Sequence, residues 1–135
     1  MVESIKSILK LDELFFSEIV FERKDSFSDY SEDDVDIGIG KDYNIEGNTL
    51  GVKLAIRACL PDHFDLKVVV SAKFTVSGDN PKPEMFVKNA IAIMFPYIRS
   101  EVTLLTSQPN LKPIMIPPVN INALIEYYEN KNKNE

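Results

Sequence analysis

The sequence predicts an α+β fold in which a four-stranded antiparallel sheet comes first and two helices follow. Three observations carry that prediction. Four stretches between residues 9 and 76 alternate apolar and polar side chains, the period of a strand with one buried face. A long helical pattern then runs over residues 85–107. A proline-rich but apolar stretch, residues 108–119, separates it from a short last helix. Strands first and helices last pack as two layers around one core.

In the first strand, Leu9, Leu11, Phe15, Ile19 and Phe21 share odd parity against Lys10, Asp12, Glu18 and Glu22. Residues 1–10 fit either a helical turn or a strand lead-in. Residues 23–34 are acidic and serine-rich around Phe27 and Tyr30, the composition of a solvated connection. Val35, Ile37 and Ile39 alternate with Asp36, Gly38 and Gly40 as a second strand, and Glu46-Gly47-Asn48 is a turn. Val52 to Leu60 and Leu66 to Val76 alternate as the third and fourth strands, joined through Pro61-Asp62-His63. Short connections make consecutive strands antiparallel neighbours. The run from Ser77 to Pro81 breaks the sheet, and Pro83 suits a helix start.

The long helix is apolar on two sides. Val87, Ile91, Met94, Ile98, Val102 and Leu105 form one row; Phe86, Ala90, Ile93, Tyr97 and Leu104 form another. One row can lie on the sheet, and the second calls for a second copy of the chain as its cover. Pro96 removes the N–H that would bond the carbonyl of Ala92, so a kink or break is expected near Phe95. The following segment is too rich in proline for a helix and too apolar for a free linker, which predicts an extended strap lying on protein. Asn120 caps the last helix, residues 121–129, with Leu124, Ile125, Tyr127 and Tyr128 on it, and residues 130–135 read as a frayed polar tail.

A length of 135 residues suits a single domain over 1–135, and a hydrophobic fraction of 44% supports a globular core. A net charge of −6 disfavours nucleic acid and anionic membrane as partners. One cysteine, Cys59, cannot close an intrachain disulfide, and no apolar leader follows a basic start, so a cytoplasmic location is expected. The longest apolar run, Ala90 to Ile98, is too short for a membrane span and contains Pro96. Catalytic signals are weak. His63 sits in a turn with no nucleophile fixed beside it, the glycines form no phosphate loop, and Asp33, Asp34 and Asp36 lack the spacing of a calcium loop. No enzyme, metal or cofactor is expected. A hotdog-type thioesterase is the alternative from another class, but its long helix follows the first strand, and Glu84 is a favourable charge at a helix start rather than a placed carboxylate.

Two motifs resemble the SecB export-chaperone family over a match running from Leu9 to Tyr128. Phe95-Pro96-Tyr97-Ile98-Arg99 resembles Phe-Pro-Tyr-Ala-Arg on that family's long helix, and Pro118-Val119-Asn120-Ile121-Asn122-Ala123-Leu124 resembles Pro-Val-Asn-Phe-Asp-Ala-Leu entering its last helix. A looser match places Glu18-Ile19-Val20-Phe21-Glu22 on its first strand. The resemblance implies a tetramer, a dimer of dimers formed through the long helix, that holds unfolded polypeptides without ATP and passes them to SecA. It implies client contacts at Leu111, Ile114, Ile116, Leu124 and Tyr128, SecA docking at Glu18 and Glu22, and an oligomer interface at Phe86, Ala90, Ile93, Tyr97 and Leu104. Two departures bear on SecA: a fourth-strand position acidic in the family is Lys67 here, and the tail past the last helix is short. Some SecB-like chaperones guard the antitoxin of a toxin–antitoxin pair instead, and this alternative stays open.

Overall fold

A computed structural model describes residues 7–24, 30–78, 81–117 and 120–133. The strands are β1 (Ser7–Arg23), β2 (Asp36–Glu46), β3 (Thr49–Leu60) and β4 (Phe64–Gly78), followed by helices α1 (Val87–Thr106) and α2 (Ile121–Lys133). The expectations for residues 1–6, Phe27, Asp79, Asn80, Pro118, Val119 and the last two residues fall outside the described residues.

All four strands form one antiparallel sheet in the spatial order β1-β4-β3-β2. Tight turns make β2, β3 and β4 a meander. Gly47 has φ 60° at the first, and Asp62, a residue type that tolerates the left-handed region, has φ 70° at the second. The strands joined by short turns are antiparallel neighbours, as expected, and β1 takes the other edge of β4. It pairs with β4 from Ser7–Gly78 to Arg23–Phe64.

The parity read along β1 also needs correction. The register shifts between Leu11 and Glu13 and again between Phe16 and Glu18, and each extra residue turns the following side chains over. Leu9, Leu11, Leu14, Phe16 and Phe21 therefore pack against the core, whereas Phe15, opposite Ser71 on the other face, is 53% exposed. The inserted residues are polar and tied to β4: Asp12 accepts from the Thr75 hydroxyl, and the Ser17 and Ser71 hydroxyls lie 2.7 Å apart.

Even-numbered residues of β3 and β4, among them Leu50, Leu54, Ile56, Val68, Val70 and Phe74, form the floor of the core. α1 lays Val87, Ala90, Ile91, Met94, Ile98 and Val102 on that floor. Ala90 thus belongs to the sheet-facing row and is fully buried within the chain. A small side chain there lets the helix backbone approach the sheet, which removes Ala90 from the outward row assigned from sequence. The helix runs unbroken through Pro96. Ala92 and Pro96 both lie on the exposed side, so water can satisfy the carbonyl that proline leaves without a donor.

Two threonines of α1 hold the strap that follows. The Ile114 N–H donates to Thr106 Oγ1 at 2.8 Å, and Thr103 Oγ1 donates to the Ile114 carbonyl at 2.7 Å. Thr106 is fully buried and donates its own hydroxyl to the Val102 carbonyl. The Asn120 side chain caps α2 by accepting from the Ala123 N–H at 3.2 Å. Ile121 and Ile125 anchor that helix in the core, and it continues to Lys133, so residues 130–133 are helical rather than part of a frayed tail. Lys88 of α1 meets Glu126 at 3.2 Å, and Lys41 of β2 meets Glu129 at 3.5 Å.

Thr106→Val keeps the shape but leaves the Ile114 N–H without its acceptor, so the variant is expected to lose about 1–3 kcal/mol. Urea unfolding checks this as a lower midpoint at unchanged slope.

Candidate client-binding and docking surfaces

The strap begins with a pinned turn. Arg23 donates to the carbonyls of Pro109 and Asn110, the second at 2.8 Å, and Asn110 takes φ 59°. The Lys112 N–H donates to Tyr30 Oη at 2.8 Å and its ammonium to the Tyr30 carbonyl at 2.9 Å. The Tyr30 ring sits edge-on to His63 with centroids 4.9 Å apart. That turn drives Leu111 inward to 8% exposure. Leu111 therefore packs into the core within the chain.

Beyond it the strap is extended, so neighbouring side chains point to opposite sides. Ile114 and Ile116 are half-buried against the core, and Met115 between them is 74% exposed. On α2, Leu124 and Tyr128 are half-buried while Tyr127 is exposed, its ring T-shaped to Tyr128 at 5.4 Å. On β2 the helix-side row is Ile37, Ile39, Lys41, Tyr43 and Ile45, opposite Ala58, Ile56, Leu54, Val52 and Leu50. Its last two members are exposed. Met115, Tyr127, Tyr43 and Ile45 are the apolar groups the sequence-based site omits. Strand parity carried past Gly40 points to the last two.

The outward face of α1 carries Ile93, Tyr97 and Leu104, all exposed, with Leu104 at 67%. Phe86 is only half-buried against the core. A hollow of about 410 Å³ beside this face is lined by Phe16, Pro96, Tyr97, Ser100, Glu101 and Leu104.

Among the described residues no helix covers the other face of the sheet. Glu18, Val20 and Glu22 lie on it beside Val69, Lys67 and Asp65 of β4. The shared face of Glu18 and Glu22 expected from spacing is present, but Glu18 is engaged: Lys67 Nζ lies 2.9 Å from its carboxylate. Asp65 pairs with Lys24 at 3.3 Å. Hydrogen bonds from the Cys59 thiol and from Lys24 hold the Asp65 carboxyl below its usual pKa. The same carboxylate, followed by burial, pushes the Cys59 thiol up. Among the described residues no group of three or more His, Cys, Asp or Glu could hold a metal ion, and no helix is long and apolar enough to cross a membrane.

No protein-family model matches the chain. An uncharacterized protein of Methanocaldococcus jannaschii, MJ0357, is 34% identical over 41 residues, 30% of this chain. The match spans about a quarter (26%) of that relative's length. The fold is similar to that of the Mycobacterium tuberculosis SecB-like chaperone Rv1957, solved in complex with a ChAD peptide from the Rv1956 HigA1 antitoxin. The TM-score is 0.64 at 13% identity, over 82% of this chain and 87% of that one. A protein of unknown function from Streptococcus agalactiae aligns with a TM-score of 0.50 at 11% identity, over 82% of this chain and 98% of that one. The chain has the SecB-like α+β fold: a four-stranded antiparallel sheet, a long helix and a short C-terminal helix.

Because the Asp65 carboxylate favours the neutral thiol of Cys59, Asp65→Asn is expected to lower the thiol pKa and raise its thiolate fraction near pH 8. Timed labelling with a chromogenic disulfide checks this: the variant reacts faster than the wild type, with the gap closing as pH rises.

Proposed function

We propose that the chain is an ATP-independent holdase that binds non-native polypeptide, working in the cytoplasm as a homo-oligomer, with no catalysis of its own. The observation that carries this reading is apolar surface left uncovered on three elements, Met115 on the strap, Tyr127 on α2, and Tyr43 and Ile45 on β2, with Ile114, Ile116, Leu124 and Tyr128 half-buried against the core. Such surface on a folded chain is a site for another chain. The SecB-like fold supports the same reading. Many weak apolar contacts along an extended client give low specificity and high avidity.

The second uncovered surface, Ile93, Tyr97 and Leu104 on α1, is assigned to a second copy in a dimer of dimers. Phe86 lies at its margin.

Delivery has two versions. Export through SecA needs Glu18 and Glu22 to present an acidic patch, and the Lys67–Glu18 pair weakens it. A dedicated client such as an antitoxin needs no such patch, and the M. tuberculosis chaperone of the same fold was solved with an antitoxin peptide. The Lys67–Glu18 pair favours the dedicated client.

Two measurements test these assignments. Met115→Asp with Tyr127→Asp is expected to reduce suppression of aggregation of an unfolded client several-fold without ATP, since each charge must be desolvated under the client. A folded double variant that protects as well as the wild type removes the site. In light scattering the wild type is expected to exceed monomer mass, and Tyr97→Glu with Leu104→Glu to shift it to a smaller species. A wild-type monomer at micromolar concentration sinks the oligomer assignment.

A further inference from the structure

The helix-side row of β2 holds one charge among apolar residues: Ile37, Ile39, Lys41, Tyr43, Ile45. Lys41 stands opposite Leu54, which is fully buried, and its side chain is 25% exposed. Its partner is Glu129 of α2 at 3.5 Å, a looser contact than the 2.9 Å of Lys67 with Glu18. Glu129 is half exposed and lies one turn from the C-terminal end of its helix, where the helix dipole disfavours a carboxylate. The ion pair is thus one that a better-placed carboxylate can displace.

We propose that this row binds an extended client segment carrying a carboxylate, and that Lys41 receives that carboxylate in place of Glu129. The proposal rests on the client-holding reading and names the chemistry of the client. Tyr43 and Ile45 lie beyond Lys41 in the same row and are exposed. A client strand laid along them covers both with side chains at alternate positions. Its next side chain on that face, two residues on, then meets Lys41. Were that side chain apolar, the ammonium would be cut off from water beside a Glu129 that the client crowds aside, and a partly buried unpaired charge is costly. An Asp or Glu there removes the cost, so the row selects against clients lacking the acid. The chain's net charge of −6 opposes acidic ligands at long range, but salt screens that field beyond about 8 Å, whereas the Lys41 contact acts at hydrogen-bond distance.

Fluorescence anisotropy with the full chain tests this on two labelled peptides. Both carry two apolar residues at alternate positions, followed two residues on by Glu in one and Gln in the other. The wild type is expected to bind the Glu peptide roughly three- to tenfold tighter, in the range of partly exposed charge pairs. Lys41→Gln abolishes the difference, and Glu129→Gln, which removes the competing carboxylate, widens it. Equal binding of the two peptides by the wild type overturns the proposal and leaves the holdase reading standing. Equal weakening of both peptides by Lys41→Gln and Glu129→Gln also overturns it, since the pair then only ties α2 to β2. Binding of neither peptide overturns both readings.

Discussion

The structure depends on how much sheet one long helix can cover. The core face of β3 and β4 is closed by α1, the strap and α2, which together bury Leu50, Leu54, Ile56, Val68, Val70 and Phe74 almost completely. Burial of large apolar side chains at roughly 1.5–3 kcal/mol each is the main force holding the layers together. Among the described residues, one face of the sheet, the outer side of α1 and the far end of the β2 row stay open.

Rigidity around the strap comes from polar contacts. Thr103 and Thr106 take both backbone groups of Ile114, much as a neighbouring strand would, and Arg23 and Tyr30 fix the turn before it. A proline-rich segment has few N–H groups to offer, so these side chains supply the partners that a sheet ladder otherwise gives. With the backbone fixed, the alternation of Ile114, Met115 and Ile116 is fixed too, and Met115 is held outward at an edge of the core.

On the uncovered sheet face, charges settle among themselves. Glu18 has Lys67 and Asp65 has Lys24, with Cys59 donating to Asp65 as well. Exposed pairs of this kind contribute little to stability, yet they decide what field a partner meets. Lys67 changes an acidic strip into a mixed one.

The fold class, the four strands, the long helix, the extended strap and the Asn120 cap were legible in the sequence, because the period of apolar residues and the chemistry of proline and asparagine act locally. The shared face of Glu18 and Glu22 was legible for the same reason, although the bulge at Ser17 lies just before them. The β1–β4 pairing was not, since nothing local says which sheet edge a strand will find. Nor were the two bulges, whose bonds from Asp12 to Thr75 and from Ser17 to Ser71 join residues more than fifty positions apart, and so Phe15 was put on the wrong face. Ala90 reads as part of the outward row because apolar residues on two sides of a helix look alike in sequence. Only the sheet beneath decides which of them it buries, by how closely the helix approaches.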